Sequence, residues 1–240
     1  MNTGAYSNCT GITWKGRAKC TTCAIRKQVI FSEIPDEAFN ELFSPIDIFC
    51  YEDKMPIYLM GEQGQSVYTV RKGLVKLYQI LPNGKQRIVR LLKPGDVAGL
   101  ELLVDKVYHH FSMSMHDSEL CRIPVKLFYK LQNRYPVLYR KLIERWQSGI
   151  DDADLFITLF STGTSHARMG RLLLEMDKKE YNMQGSTITR EDMGDILGIS
   201  TETASRTIAD FKRNYLIEEK QNKIKLIDIK LLQKIAQDNK

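Results

Sequence analysis

Thr189-Arg-Glu-Asp-Met-Gly-Asp-Ile-Leu-Gly-Ile-Ser-Thr-Glu-Thr-Ala-Ser-Arg-Thr-Ile-Ala-Asp-Phe-Lys212 is the stretch that decides how the C-terminal part of the chain folds. Thr189 followed three residues later by Asp192 resembles a capping box and predicts the start of a short helix. Met193, Ile196 and Leu197 form its apolar stripe, and Gly198 permits the tight turn that stops it. Ser200 then caps a second helix whose inner face is Ala204, Ile208 and Phe211. Two short helices around a Gly-containing turn read as a helix-turn-helix. Glu202, Ser205 and Arg206, flanked by Thr201 and Thr203, project from the N-terminal half of the second helix, the half a recognition helix presents to the major groove. An arginine can donate two hydrogen bonds to guanine O6 and N7, a carboxylate can accept from cytosine N4, and a serine hydroxyl can reach either strand. Spacing alone fits a solvated polar face on a packing helix equally well.

The residues that follow favour the first reading. Tyr215-Leu-Ile, a polar turn over Lys220-Gln-Asn-Lys223 and the alternation Ile224-Lys-Leu226 predict a strand pair with a basic tip, a wing whose lysines can neutralise phosphates. Upstream, Met169, Leu172, Leu173 and Met176 give a helix its core face, and residues 181–187 read as a loop. Residues 228–238 read as a last amphipathic helix with Leu231, Leu232 and Ile235 inward. From Gly163 to the end there are 14 Lys/Arg and 12 Asp/Glu, a net of only +2. Binding would therefore depend on placed cations, Arg190, Arg206, Lys212, Arg213 and Lys223, rather than on bulk charge.

Glu202-Thr-Ala-Ser205-Arg206 resembles the E-x-x-S-R recognition signature of the FNR branch of the CRP/FNR transcription regulators, and the resemblance runs over nearly the whole chain. It implies an α+β architecture: a cyclic-nucleotide-binding-type β-barrel (jelly roll), a long dimerisation helix and a C-terminal winged helix-turn-helix. It further implies a homodimeric activator that reads a TTGAT-like inverted repeat in double-stranded DNA, with RNA polymerase as partner.

Composition sets the outer bounds. A chain of 240 residues has room for two modest domains, and 43% hydrophobic with 27% charged residues is ordinary for a soluble globular protein. No apolar run approaches the roughly 18–20 residues of a membrane span, and no secretory core opens the chain, so a cytoplasmic protein is expected. The net charge of +6 permits nucleic-acid binding. Residues 1–30 carry Lys15, Arg17, Lys19, Arg26 and Lys27 and no acid, which is +5 of that total.

Five cysteines, Cys9, Cys20, Cys23, Cys50 and Cys121, form an odd set that argues against a disulfide scaffold and for reduced thiols. Residues 1–32 are polar, Gly/Thr-rich and aperiodic, which predicts a flexible segment. Within it, a single Cys20-x-x-Cys23 pair leaves a metal clip, a redox pair and chance all open, since a zinc ribbon needs a second pair. The surrounding cations are expected to lower thiol pKa values. The resemblance implies more, because FNR regulators hold an oxygen-sensing [4Fe–4S] cluster through an N-terminal cysteine group and one distant cysteine. Cys20 and Cys23 match two members of that group, and Cys121, in Leu120-Cys-Arg-Ile-Pro124, matches the distant partner. The pattern breaks at Val29, where the family has a further cysteine. Cys9 is then the upstream candidate for the fourth thiolate such a cluster uses. A thiol/disulfide switch at Cys20 and Cys23 is the competing reading. Cys50, in Ile46-x-Ile48-x-Cys50, reads as a buried small hydrophobe.

Residues 33–124 open with a short helix from Pro35 to Phe43 and continue as short strands. These run over Ile57–Met60, Val67–Val70, Leu74–Ile80 and Arg87–Leu92, punctuated by Gly61, Gly73, Asn83-Gly84 and Gly95. Such a pattern predicts a small β-barrel or jelly roll. Cyclic-nucleotide members of the family pair a Gly-Glu segment with an Arg-Ser some ten residues on. Here Gly99-Leu100-Glu101 is followed by Tyr108-His-His-Phe-Ser112, with no arginine for the phosphate, so the sequence argues against cyclic AMP. His109 and His110 leave haem open, although polar residues at a loop end are the plainer reading.

Residues 125–161 read as a short amphipathic helix (Val125, Leu127, Phe128, Leu131) and a long one starting at Pro136. In the long helix Ile143, Trp146, Ile150, Ala153, Ile157 and Phe160 step as a heptad seam, either a dimer interface or a core face. A dimer would set two recognition helices about 34 Å apart. Asp151, Asp152 and Asp154 beside the seam would repel across a two-fold axis. Residues 162–240 complete the DNA-binding domain. No enzyme motif is present. A same-fold regulator sensing a small molecule, a haem-bound gas or thiol oxidation without a cluster is the alternative.

Overall fold

The computed structural model describes residues 9–40, 46–178, 188–220 and 223–238. The loop read over 181–187, the wing tip Gln221-Asn222 and the end of the helix expected to reach Phe43 lie outside them. The chain divides into two compact units, Met1–Leu77 with Leu91–Ile150, and Tyr78–Arg90 with Asp151–Lys240.

The β-roll is made of β1 (Ile12–Arg17), β2 (Asp47–Tyr51), β3 (Pro56–Tyr58), β4 (Ser66–Lys72), β5 (Val75–Ile80), β6 (Gln86–Leu92), β7 (Val97–Ala98), β8 (Phe111–Ser114) and β9 (Ser118–Pro124). They form a five-stranded sheet in the order β1-β2-β9-β4-β7 and a four-stranded sheet in the order β3-β8-β5-β6. Side chains alternate across a strand, so register decides which residues share a face. Ile123 lies opposite Val67, and Cys121 lies opposite both Thr69 and Ile48. Ile123 and Val67 join Ile30, Phe31, Ile34, Ile46, Leu127 and Phe128 in one apolar core, with Cys20 and Cys121 packed against it. Helices α1 (Asp36–Asn40) and α2 (Val125–Gln132) belong to this layer, and Leu127, Phe128 and Leu131 of α2 are buried as expected.

The flexible segment expected over residues 1–32 is not what the described residues form. Ile12 through Arg17 pair antiparallel with Tyr51 through Asp47, and Ile30 and Phe31 are 2% and 3% exposed. An edge strand takes its hydrogen bonds from the neighbouring strand, so β1 needs no apolar periodicity of its own. The same pairing sets Thr13 opposite Cys50. Cys9 and Cys50 form a disulfide with their Cα atoms 5.6 Å apart. Cys50 is therefore more than a small hydrophobe, and these two cysteines are not the reduced thiols expected from an odd count.

Helix α3 (Val137–Phe160) is held at its first turns by Glu33, whose carboxylate meets Arg140 at 2.7 Å and Lys141 at 2.9 Å. The second unit carries α4 (Ser165–Met176), α5 (Arg190–Leu197), α6 (Thr201–Arg213), β10 (Ile217–Lys220), β11 (Lys223–Leu226) and α7 (Ile229–Ala236). Thr164 caps α4 by accepting from the Ala167 amide at 3.1 Å. In α7 only Leu232 is fully buried, and Leu231, expected inward, is exposed.

Candidate nucleic-acid interface and thiol-lined cavity

The reading helix is placed by local chemistry. Thr189 Oγ1 accepts from the Asp192 amide at 3.0 Å and donates to the Asp192 carboxylate at 2.7 Å, fixing the start of α5. Gly198 closes α5 with φ of 63°, a conformation that costs other residues energy. Gly194, which the sequence reading passed over, is needed for a different reason. A Cβ there would stand 2.8 Å from the Ile199 carbonyl, so the turn packs directly on α5 backbone. Ser200 then accepts from the Thr203 amide at 3.2 Å to start α6. Ala204, Ile208 and Phe211 are at most 1% exposed. On the opposite face Thr201, Glu202, Ser205 and Arg206 are exposed, with Thr203 half-buried beside them. The Glu202 backbone amide, the Ser200 hydroxyl and, at longer range, Arg206 hold the Glu202 carboxyl below its ordinary range, so it presents an ionised acceptor.

The placed cations divide into two sets. Arg190 and Lys212 both pair with Glu219 on β10, the lysine at 3.0 Å, and Arg213 pairs with Asp210. Among the described residues Arg206 and the exposed Lys223 form no ion pair. The wing strands pair antiparallel from Ile217↔Leu226 to Lys220↔Lys223.

In the first unit Cys20, Cys23 and Cys121 line one cavity together with Arg26, Val29 and Arg71. Cys20 opens a 3₁₀ turn, and its carbonyl accepts from the Cys23 amide at 3.4 Å. Cys9, the expected fourth thiolate, is instead bound to Cys50. Among the described residues no three His, Cys, Asp or Glu side chains are close enough together to hold a metal ion. The thiols share a cavity without being drawn to ligand distances.

The cations also fail to lower the pKa values of Cys20 and Cys121. Burial and the neighbouring Cys23 push Cys20 up against the opposing pull of Arg26 and Arg71. Burial pushes Cys121 up to about 12, with Arg71 opposing. Arg26 is already engaged by Asp36 at 3.0 Å and the Ile34 carbonyl at 2.6 Å, and Arg71 by Glu119 at 3.8 Å. Desolvation of the charged form outweighs what attraction remains.

At the segment compared with nucleotide sites, Glu101 accepts from the His109 amide at 3.1 Å, and the His109 ring meets Asp105 at 2.7 Å. Along the expected seam of α3, Ile143, Trp146, Ile150 and Ile157 are 40–68% exposed, whereas Phe160 is 2% exposed. Phe160 packs edge-on against Phe156, so it belongs to a core within the chain rather than to the exposed seam.

Comparison with known proteins adds to this geometry. The family model for the cyclic nucleotide-binding domain matches residues 49–135, and that for the Crp-like helix-turn-helix domain matches residues 167–235. A CRP/FNR family transcriptional regulator from Thermus thermophilus superposes with a TM-score of 0.66 at 25% identity, covering 80% of this chain and 100% of that one. The chain is a CRP/FNR family regulator. Within the family it is similar to an anaerobic regulatory protein of Haemophilus influenzae, 25% identical over 234 residues, 92% of this chain and 89% of that protein. It is also similar to electron transport regulator A of Shewanella oneidensis, 27% identical over 201 residues, 79% of this chain and 80% of that protein. These relatives are regulators rather than enzymes, and the helix-turn-helix match indicates DNA binding. No helix among the described residues is long and apolar enough to cross a membrane.

Proposed function

We propose that this CRP/FNR regulator is a dimeric, redox-responsive activator of the FNR type, which reads a TTGAT-like inverted repeat and recruits RNA polymerase. The observation that carries the redox part is the convergence of Cys20, Cys23 and Cys121 on one cavity, although Cys121 lies about a hundred residues from the other two. A [4Fe–4S] cluster usually takes four thiolates. Here three thiols line one cavity without standing at ligand distances, so a cluster would have to draw them together, while Cys9 is tied to Cys50 and Val29 lines the wall. A cluster in this chain would use Cys20, Cys23 and Cys121 with its remaining position on a non-cysteine ligand. A bound metal supplies the positive charge that deprotonates buried thiols. A cyclic nucleotide has no arginine to meet its phosphate between Tyr108 and Ser112, and haem is not assigned to His109, which pairs with Asp105.

The test is iron and sulfide quantification after anaerobic reconstitution. The wild type should bind both. Cys20→Ser, Cys23→Ser and Cys121→Ser should each lose them, and Cys9→Ser should keep them. No iron in the wild type, or full iron in Cys121→Ser, would overturn the cluster reading and leave thiol oxidation without a cluster as the alternative.

DNA reading is assigned to Glu202, Ser205 and Arg206, with Thr201, Thr203 and Lys223 beside them. Dimerisation is assigned to the exposed face of α3 through Ile143, Trp146, Ile150, Ala153 and Ile157. Burying the exposed half of Ile150 on each protomer stabilises a dimer by about 1.5–3 kcal/mol for the two copies, and a buried carboxylate costs more, so Ile150→Asp should leave a monomer in analytical ultracentrifugation. An unchanged mass would remove α3 from the interface.

A further inference from the structure

Glu219 was not among the residues the sequence singled out. It stands on β10 opposite Ile224, its side chain only 17% exposed, and it pairs with two cations from different elements. Arg190 is the first residue of α5, and Lys212 lies in the last turn of α6, so the carboxylate joins both helices of the helix-turn-helix to the wing. We propose that Glu219 is a specificity-determining residue, which withholds Arg190 and Lys212 from DNA phosphates so that affinity depends on the base-reading face of α6.

The physical reason is the division of labour in DNA recognition. Phosphate contacts add affinity for every sequence, whereas base contacts separate one sequence from another. Each cation placed on a phosphate releases condensed counterions and steepens the dependence of log affinity on log salt by about 0.9. Arg190 opens α5 and Lys212 lies in the last turn of α6, and a free cation at either place would be open to a phosphate of any duplex. Paired with one half-buried carboxylate, they are neutralised before DNA arrives, and a phosphate must compete with Glu219 for them. Arg206 and Lys223 form no such pair among the described residues. The chain would thus keep its base-reading cation available while holding two sequence-blind ones back.

The inference rests on the DNA-reading assignment above, and the test separates the two. Affinities of the full chain for an inverted-repeat duplex and for a scrambled duplex of equal length would be measured by fluorescence anisotropy across a salt titration. If the wild type does not prefer the repeat, the DNA-reading assignment fails. If it does, Glu219→Gln should raise affinity for the scrambled duplex by at least roughly tenfold near 50 mM salt, steepen the salt slope by about 3.6 for a bound dimer (two freed cations on each protomer) and narrow the preference for the repeat. Adding Arg190→Gln and Lys212→Gln to that variant should cancel the gain. Glu219→Ala should behave like Glu219→Gln, guarding against a packing effect of the amide. A wild-type slope in either folded variant overturns the proposal. So does loss of the fold in both, which would make Glu219 purely structural.

Discussion

The helix-turn-helix and the thiol-lined cavity are built by opposite means. Residues 189–212 place their reading face with contacts three or four residues apart: Thr189 on Asp192, Ser200 on Thr203, and Gly198 in a left-handed turn. The cavity draws Cys20 and Cys23 from a segment whose register is set by β2, and Cys121 from β9, with Phe31 and Ile46 also lining it. One region carries its instructions in local sequence. The other exists only once strands distant in sequence have paired, so the two should respond differently to damage.

The sharpest break in that comparison comes from the N-terminal segment. Phe31 is 3% exposed, with its ring 5.4 Å from that of Phe128. Phe31→Ala should cost about 3–5 kcal/mol and loosen the segment that holds Cys20 and Cys23. Thiol alkylation should show Cys121 becoming reactive, while the thermal transition of the second unit stays in place. A coupled loss of both transitions would contradict the division. A smaller effect is expected from the local device: Thr189→Ala removes one cap and should cost about 1 kcal/mol, read as a lower melting temperature of the second unit with the cysteines unaffected.

The smallest expected effect is a pH dependence. Burial alone would raise the Glu219 pKa, but Lys212 and Arg190 outweigh it and hold the carboxyl below the ordinary 4.5. A depressed pKa contributes stability that is present above the unfolded value and lost as pH falls through the folded one. The second unit of the wild type should therefore lose melting temperature on acidification below about pH 4.5 more steeply than Glu219→Gln. Parallel acid limbs would remove Glu219 as the titrating link.

What was legible follows the same line. The caps, the Gly198 turn and the inward set Ala204, Ile208 and Phe211 were readable because a helix end is decided within four residues. The barrel-type strands and the amphipathic α2 were readable from period and turn residues. Three features were not. Strand β1 has only the short alternation Ile12-Thr-Trp14, whose apolar side chains are exposed, and forms because an edge was free to pair. The Cys9–Cys50 disulfide depends on that pairing. The ion pairs of Glu219 depend on where β10 runs relative to α5 and α6, which residue types alone do not disclose. The seam on α3 was readable as a period, but only the fold shows that Phe160 leaves it for a core within the chain.

On the function proposed above, α6 reads base pairs with Arg206. The most direct measurement is the affinity of the wild type and of Arg206→Ala for an inverted repeat in which every half-site position is substituted singly. Arg206→Ala should lose about 1–3 kcal/mol on the intact repeat and become indifferent at one base pair while keeping its preferences elsewhere. Equal affinity of the wild type for all substitutions at that pair, or a uniform loss in the variant across every duplex, would contradict it.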